Sequence, residues 1–179
     1  MAQTATIYTF TINLSDMDRG VYESLDLRVA RQPSETMEYM LSRVIGYCLE
    51  YREGIVFTQG IAAGDEPAVA VRDLTGQLLV WVEVGMPDAD RLHRASKQAA
   101  RVVIYTHRNP EVLKQQLAGK RIHRAEEIPI FALDTRFMSA LSAAIERRTS
   151  LDFSITEGQI YIEVGGQSII TTLAEHRLA

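Results

Sequence analysis

The sequence is poor in the features that mark secreted, membrane-embedded and disordered chains. One cysteine, Cys48, in 179 residues excludes an intramolecular disulfide and any multi-cysteine metal site. No apolar run approaches the roughly 20 residues that span a bilayer. The opening Met1-Ala-Gln-Thr-Ala-Thr-Ile-Tyr has neither the basic nor the apolar region of a signal peptide, so a cytoplasmic protein is expected. No Pro/Gly/Ser-rich linker or repeat interrupts the chain, and a single domain over residues 1–179 is the reading. P-loop, Rossmann and zinc motifs are missing, and His93, His107, His123 and His176 lack metal-ligand spacing. Lysine is scarce, with 3 Lys against 16 Arg. A net charge of −4 argues against a strong non-specific nucleic-acid binder. Arginine still offers a fork matched to phosphate, although GC-rich codon usage would give the same bias.

What is there fits a globular domain: 46% hydrophobic and 23% charged residues, ordinary values for a chain with a sizeable core. Residues 5–14 alternate, with Tyr8, Phe10, Ile12 and Leu14 on one face, and Leu25, Leu27 and Val29 repeat the period after the turn Asp16–Gly20. This predicts a β-hairpin with one buried face. A helix is expected over 34–49, capped by Ser34, with Met37, Met40, Leu41, Val44, Ile45 and Cys48 as its core stripe. Strands follow at 55–59, 68–72 and 77–84, then a helix at 88–100, a strand at 101–107, a helix at 109–117, a strand at 128–133 and a helix at 134–147. Segments 151–156, 159–164 and 168–173 read as an antiparallel meander. Alternating elements in the middle and antiparallel ends predict an α/β (α+β) fold, a mixed sheet flanked by helices plus an additional antiparallel sheet from the two terminal segments.

Three features break the local pattern. Glu83 is an acid inside the apolar strand Leu78-Leu-Val-Trp-Val-Glu-Val, and a buried carboxylate needs a partner, a metal or solvent. Asp65-Glu66 precedes Pro67. If Arg72 faces Gln77 across the turn, Glu66 falls opposite Glu83 and Asp65 opposite Val84, and a bulge near Pro67 would exchange the two acids. Neighbouring carboxylates repel unless a cation or proton lies between them, and oxygen ligands suit Mg²⁺ or Mn²⁺. Lys97 sits on the following helix, well off its apolar stripe, where a solvated side chain is the ordinary outcome.

Pro33-Ser34-Glu35-Thr36-x-Glu38, Phe57-Thr58-x-Gly60, Asp65-Glu66-Pro67, Trp81-x-Glu83-x-Gly85-x-Pro87-Asp88 and Lys97-Gln98-Ala99 occur in this order. Over essentially its full length the chain resembles the YaeQ family of bacterial proteins, which is similar to a variant of the PD-(D/E)XK nuclease fold with an α-β-β-β-α-β core. The resemblance implies Asp65 and Glu83 as metal ligands, with the Val84 carbonyl as a third. It implies Lys97 as a catalytic lysine moved from position 85, where Gly85 stands, and Glu38, Gln98 and Tyr105 as assisting groups. Arg94 and Arg101 are candidate phosphate contacts. The function implied is a Mg²⁺- or Mn²⁺-dependent phosphodiesterase acting on nucleic acid. The alternative is a non-catalytic protein that binds nucleic acid or a protein partner and keeps the nuclease scaffold, since a scaffold does not by itself carry a function.

Overall fold

A computed structural model describes residues 4–58 and 65–178. Along the chain the strands are β1 (Thr6–Asp16), β2 (Val21–Arg31), β3 (Ile55–Phe57), β4 (Val69–Arg72), β5 (Leu78–Val84), β6 (Arg101–Thr106), β7 (Pro129–Ala132), β8 (Arg148–Thr156), β9 (Gln159–Val164), β10 (Gln167–Thr172) and β11 (Ala174–Arg177). The helices are α1 (Met37–Leu49), α2 (Ala89–Gln98), α3 (Pro110–Leu117) and α4 (Thr135–Ala144). The protein is a mixed α/β chain with two mixed sheets, and it divides into two compact units, residues 1–41 with 134–173 and residues 42–133 with 174–179. Among the described residues no helix is long and apolar enough to cross a membrane.

The first unit is built on a five-stranded sheet in the order β10-β9-β8-β1-β2. Tyr8, Phe10, Ile12, Leu14, Leu25, Leu27 and Val29 are all buried, as the alternation predicts, together with Leu151, Phe153, Ile155, Ile160, Ile162 and Val164. The additional sheet is mixed rather than antiparallel, because β1 pairs with β8 in parallel, Phe10 opposite Thr149 and Leu14 opposite Phe153. Tight turns fix direction within the β1–β2 hairpin and the β8–β9–β10 meander. The strands that join the two are separated by more than a hundred residues, and no turn constrains them.

Helix α1 begins at Met37 rather than Ser34, and Thr36 is its cap, accepting from the Tyr39 N–H at 3.1 Å. Glu35 therefore precedes the helix. It is buried, and its carboxylate folds back to accept from the Gln32 N–H at 3.0 Å.

The second unit holds a six-stranded sheet in the order β11-β7-β6-β5-β4-β3. Strands β3, β4 and β5 are antiparallel, β5, β6 and β7 are parallel, and β11 returns antiparallel on β7. The two faces of β5 are covered differently. Val82 lies beside Gly46 of α1, where an added Cβ would come within 3.2 Å of its Cγ1 and 3.3 Å of the Tyr105 ring, so a side chain there would push these neighbours back by a few tenths of an ångström. On the other face Trp81 joins Leu92, Ala95 and Ala99 of α2 and Leu113 and Leu117 of α3 in one apolar cluster. Successive side chains on a strand alternate, so Glu83 shares the face of Trp81.

A bulge between Val71 and Arg72 displaces the β4–β5 register, and Val82 faces Val69 where an ideal turn would have set Pro67. Residues 59–64, including the end of the strand expected at 55–59 and the Gly60 of the Phe57-Thr58-x-Gly60 motif, lie outside the described residues.

Candidate functional site

The site is assembled from β5, α2 and the residues just before β4. Asp88 caps α2, accepting from the Arg91 N–H at 2.8 Å, and this fixes the phase of the helix. At roughly 100° per residue, Leu92, Ala95 and Ala99 point to the sheet, and Arg91, Arg94 and Gln98 share one flank. Lys97 and His93 share the opposite flank. Asp65, Trp81, Arg91, Arg94 and Gln98 line a cavity of about 240 Å³.

Glu83 is 4% exposed and its partners are internal. The Arg91 guanidinium donates from Nε to its Oε1 at 2.8 Å, and the Trp81 indole N–H donates to the same oxygen at 2.6 Å. Arg91 also donates to the Glu66 carbonyl and stands over the Trp81 ring, 5.6 Å from its centroid. The cation that the buried acid required is thus an arginine eight residues further along the chain. Asp65 is nearly fully exposed and makes one longer pair, 3.3 Å, with Arg94.

Burial pushes the Glu83 pKa above its ordinary value, and the Arg91 charge and the hydrogen bonds from Trp81 and Arg91 oppose that shift. An acid raised in the folded state binds more protons native than unfolded, so its stabilising contribution is greatest below the unfolded value. It is lost as pH rises from about 4.5 through the folded value. In thermal melts across this range, wild type should lose stability relative to Glu83→Gln as pH rises. The opposite trend would show that Arg91 outweighs burial.

The other expected site residues are dispersed. Gln98 is exposed and lines the cavity, whereas Lys97 is exposed and is not among its lining residues. Glu38 belongs to the first unit, where it accepts from the Ser142 hydroxyl at 3.4 Å. Tyr105 pairs in register with Val84, not Glu83, and its hydroxyl donates to Glu50 at 2.6 Å. Arg101 is held by the same carboxylate at 3.1 Å. Gly85 has φ 87°, left-handed backbone in which a lysine would be strained, which accounts physically for the absence of a lysine there. His93 and His123 are neighbours rather than isolated, the His93 Nδ1 accepting from the His123 N–H at 3.0 Å.

A divalent ion at this site would need the carboxylates of Asp65 and Glu83 as ligands. Both carboxylates are already neutralised by guanidinium groups, and among the described residues no group of three or more His, Cys, Asp or Glu is placed to hold a metal. In this arrangement a divalent ion would have to displace Arg91 from Glu83 and Arg94 from Asp65. The residue that sequence reasoning missed is Arg91. Two signals pointed to it: the i, i+3, i+7 spacing of Arg91, Arg94 and Gln98, and the buried Trp81, whose N–H needs an acceptor and finds it two residues along the same strand face.

The family model described as "YaeQ protein" matches residues 1–173. The "Uncharacterized protein YaeQ" of Escherichia coli (strain K12) is 34% identical over 164 residues, 90% of each chain. That of Salmonella typhi is 33% identical over the same length and coverage. The crystal structure of YaeQ protein from Pseudomonas syringae matches with a TM-score of 0.89 at 34% identity, covering 97% of both chains. That from Xanthomonas axonopodis pv. citri matches at 0.88 and 29% identity, covering 97% of this chain and 99% of the other. The chain belongs to the YaeQ family.

Proposed function

We propose that the second unit is a nuclease-type scaffold whose cavity receives one phosphate group of a nucleic acid without a resident metal. The order α1-β3-β4-β5-α2-β6, with β5 and β6 parallel, supports the scaffold reading. The observation that carries the metal-free reading is the 2.8 Å Arg91–Glu83 pair, which puts a fixed positive charge where the superfamily pattern asks for a cation. Arg94 is the exchangeable donor. Its side chain is 57% exposed and, among the described residues, tied only to an 86% exposed Asp65, a class of pair worth at most about 1 kcal/mol. A phosphate oxygen pair offers the guanidinium a charge-assisted bidentate bond in its place, with the Gln98 amide as a further donor.

The test is a thermal-shift titration with inorganic phosphate and with a phosphorylated dinucleotide. A ligand that binds only the native state at 100 times its Kd stabilises it by about 2.7 kcal/mol, and Arg94→Gln should remove most of that gain. No shift with either ligand, or a full shift in the variant, overturns the reading.

A second reading is a Mg²⁺- or Mn²⁺-dependent phosphodiesterase, with Asp65 and Glu83 as ligands and Lys97 and Gln98 as catalytic groups. What favours it is the exposure of Asp65 at the cavity, open to exchange its weak partner. It requires Mn²⁺ to raise the melting temperature of wild type but not of Glu83→Gln, together with metal-dependent cleavage that Lys97→Met lowers by roughly 10²-fold.

A further inference from the structure

The charge of this chain is segregated. Residues 91–124 hold nine Lys and Arg, including every lysine (Lys97, Lys114 and Lys120), against one acid, Glu111. That surplus of eight positive charges lies in a protein whose net charge is −4. Several of these groups are spent internally: Arg91 on Glu83, Arg94 on Asp65, Arg101 on Glu50, Lys114 on Glu111 and Arg124 on Glu127. Lys97, Lys120 and Arg121 are exposed and make none of the ion pairs found among the described residues.

Two of these cations converge. Lys97 lies one turn along α2 from His93, and Arg121 lies two residues before His123; in keeping with that placement, desolvation and the charges of Lys97, Arg121 and His123 lower the His93 pKa, with Asp90 opposing. The His123 N–H donates to His93 at 3.0 Å, and the Ser96 hydroxyl donates to the His123 carbonyl. These bonds tie the segment before the 3₁₀ turn at Ala125–Glu127 to α2. Uncompensated like charges held together destabilise a fold unless a polyanion neutralises them.

Resting on the phosphate reading of the cavity, we propose that the ligand is a nucleic-acid strand and not a mononucleotide. The strand's backbone runs from the Arg94 cavity over α2 to Lys97 and Arg121, beside the His93–His123 pair. Helix α2 links the two, since its Arg94 flank serves the cavity and its Lys97 flank serves the basic groups.

The experiment measures binding of the full chain to labelled oligo(dT) and oligo(U) of about 5, 10 and 20 nucleotides across a salt series. Affinity should rise with length, and log K should fall linearly with log salt. Lys97→Gln/Arg121→Gln should make the slope shallower by about 1.4, since each single-strand phosphate contact contributes roughly 0.7, and should flatten the length dependence. Both side chains are exposed, so melting of the variant should be unchanged; if it is not, Arg121→Gln alone provides the slope measurement, with an expected change of about 0.7. Length-independent binding, or an unchanged slope in both variants, overturns the proposal, as does equal binding of poly-glutamate or of anionic vesicles. Arg94→Gln separates the two readings. If it loses the phosphate-induced shift and makes the slope shallower by about 0.7, both hold. If phosphate never binds and the slope stands, the cavity reading alone fails.

Discussion

Arg91→Met should be among the most damaging single changes outside the apolar core, costing about 3–5 kcal/mol, the range for removing one partner of a buried ion pair. Glu83 is 4% exposed, so it cannot recover water when the guanidinium leaves. The methionine also forfeits the bond to the Glu66 carbonyl and the stacking on Trp81. Without the Arg91 charge, the largest influence holding the Glu83 pKa down is gone. The variant should therefore be least destabilised in acid, where the carboxyl protonates. Adding Glu83→Gln removes the stranded charge and keeps an acceptor for the Trp81 N–H, so the double variant should regain most of the loss. Urea unfolding of wild type, both singles and the double gives the coupling. Simple additivity would mean that the pair contributes no interaction of its own.

Gly54→Ala should cost about 3 kcal/mol, because two penalties fall on one position. Its φ of 92° is left-handed, worth roughly 1–2 kcal/mol against a residue with a Cβ. An added Cβ would also stand 2.1 Å from the Arg72 carbonyl oxygen. That oxygen is backbone and cannot rotate away, so the Arg72 N–H to Gly54 carbonyl bond at 3.2 Å must break, at about 1 kcal/mol. Gly76→Ala supplies the control. Its φ is 87° with nothing within 4 Å, so it should show the backbone penalty alone. Equal losses at the two glycines would remove the steric argument. Gly54 closes on the end of β4 beside the bulge that sets the register of β4 on β5, so the same measurement probes how firmly the β3–β4 edge of the sheet is held.

The site was legible in part. An acid inside an apolar strand announced a buried charge that needed a cation, and that inference rested on desolvation alone. The cation's identity depended on the phase of α2, which the Asp88 cap fixes and which sets Arg91, Arg94 and Gln98 on one flank and Lys97 on the other. The facing of Asp65 and Glu66 could not be derived from turn arithmetic, because one bulge at Val71–Arg72 shifts which residues oppose each other without changing the hydrophobic pattern of either strand. The pairing of His93 with His123 joins positions thirty apart through a loop with no periodicity to read.

By itself the sequence determined most of the elements and their buried faces, although not β11, which was unexpected and returns on β7. Periods of two and of 3.6 arise from local backbone geometry, so Phe10, Ile12 and Leu14 on β1 or Leu92, Ala95 and Ala99 on α2 declare their inward side wherever the element is placed. It also determined the segregation of positive charge into residues 91–124, a matter of composition. Only the tertiary structure decided that β1 and β8 run parallel, that Arg91 neutralises Glu83, and that Lys97 stands with His93 rather than at the cavity. Each of these depends on the position of one element against another, set by caps, a bulge and packing between residues far apart in the chain, to which no local period is sensitive.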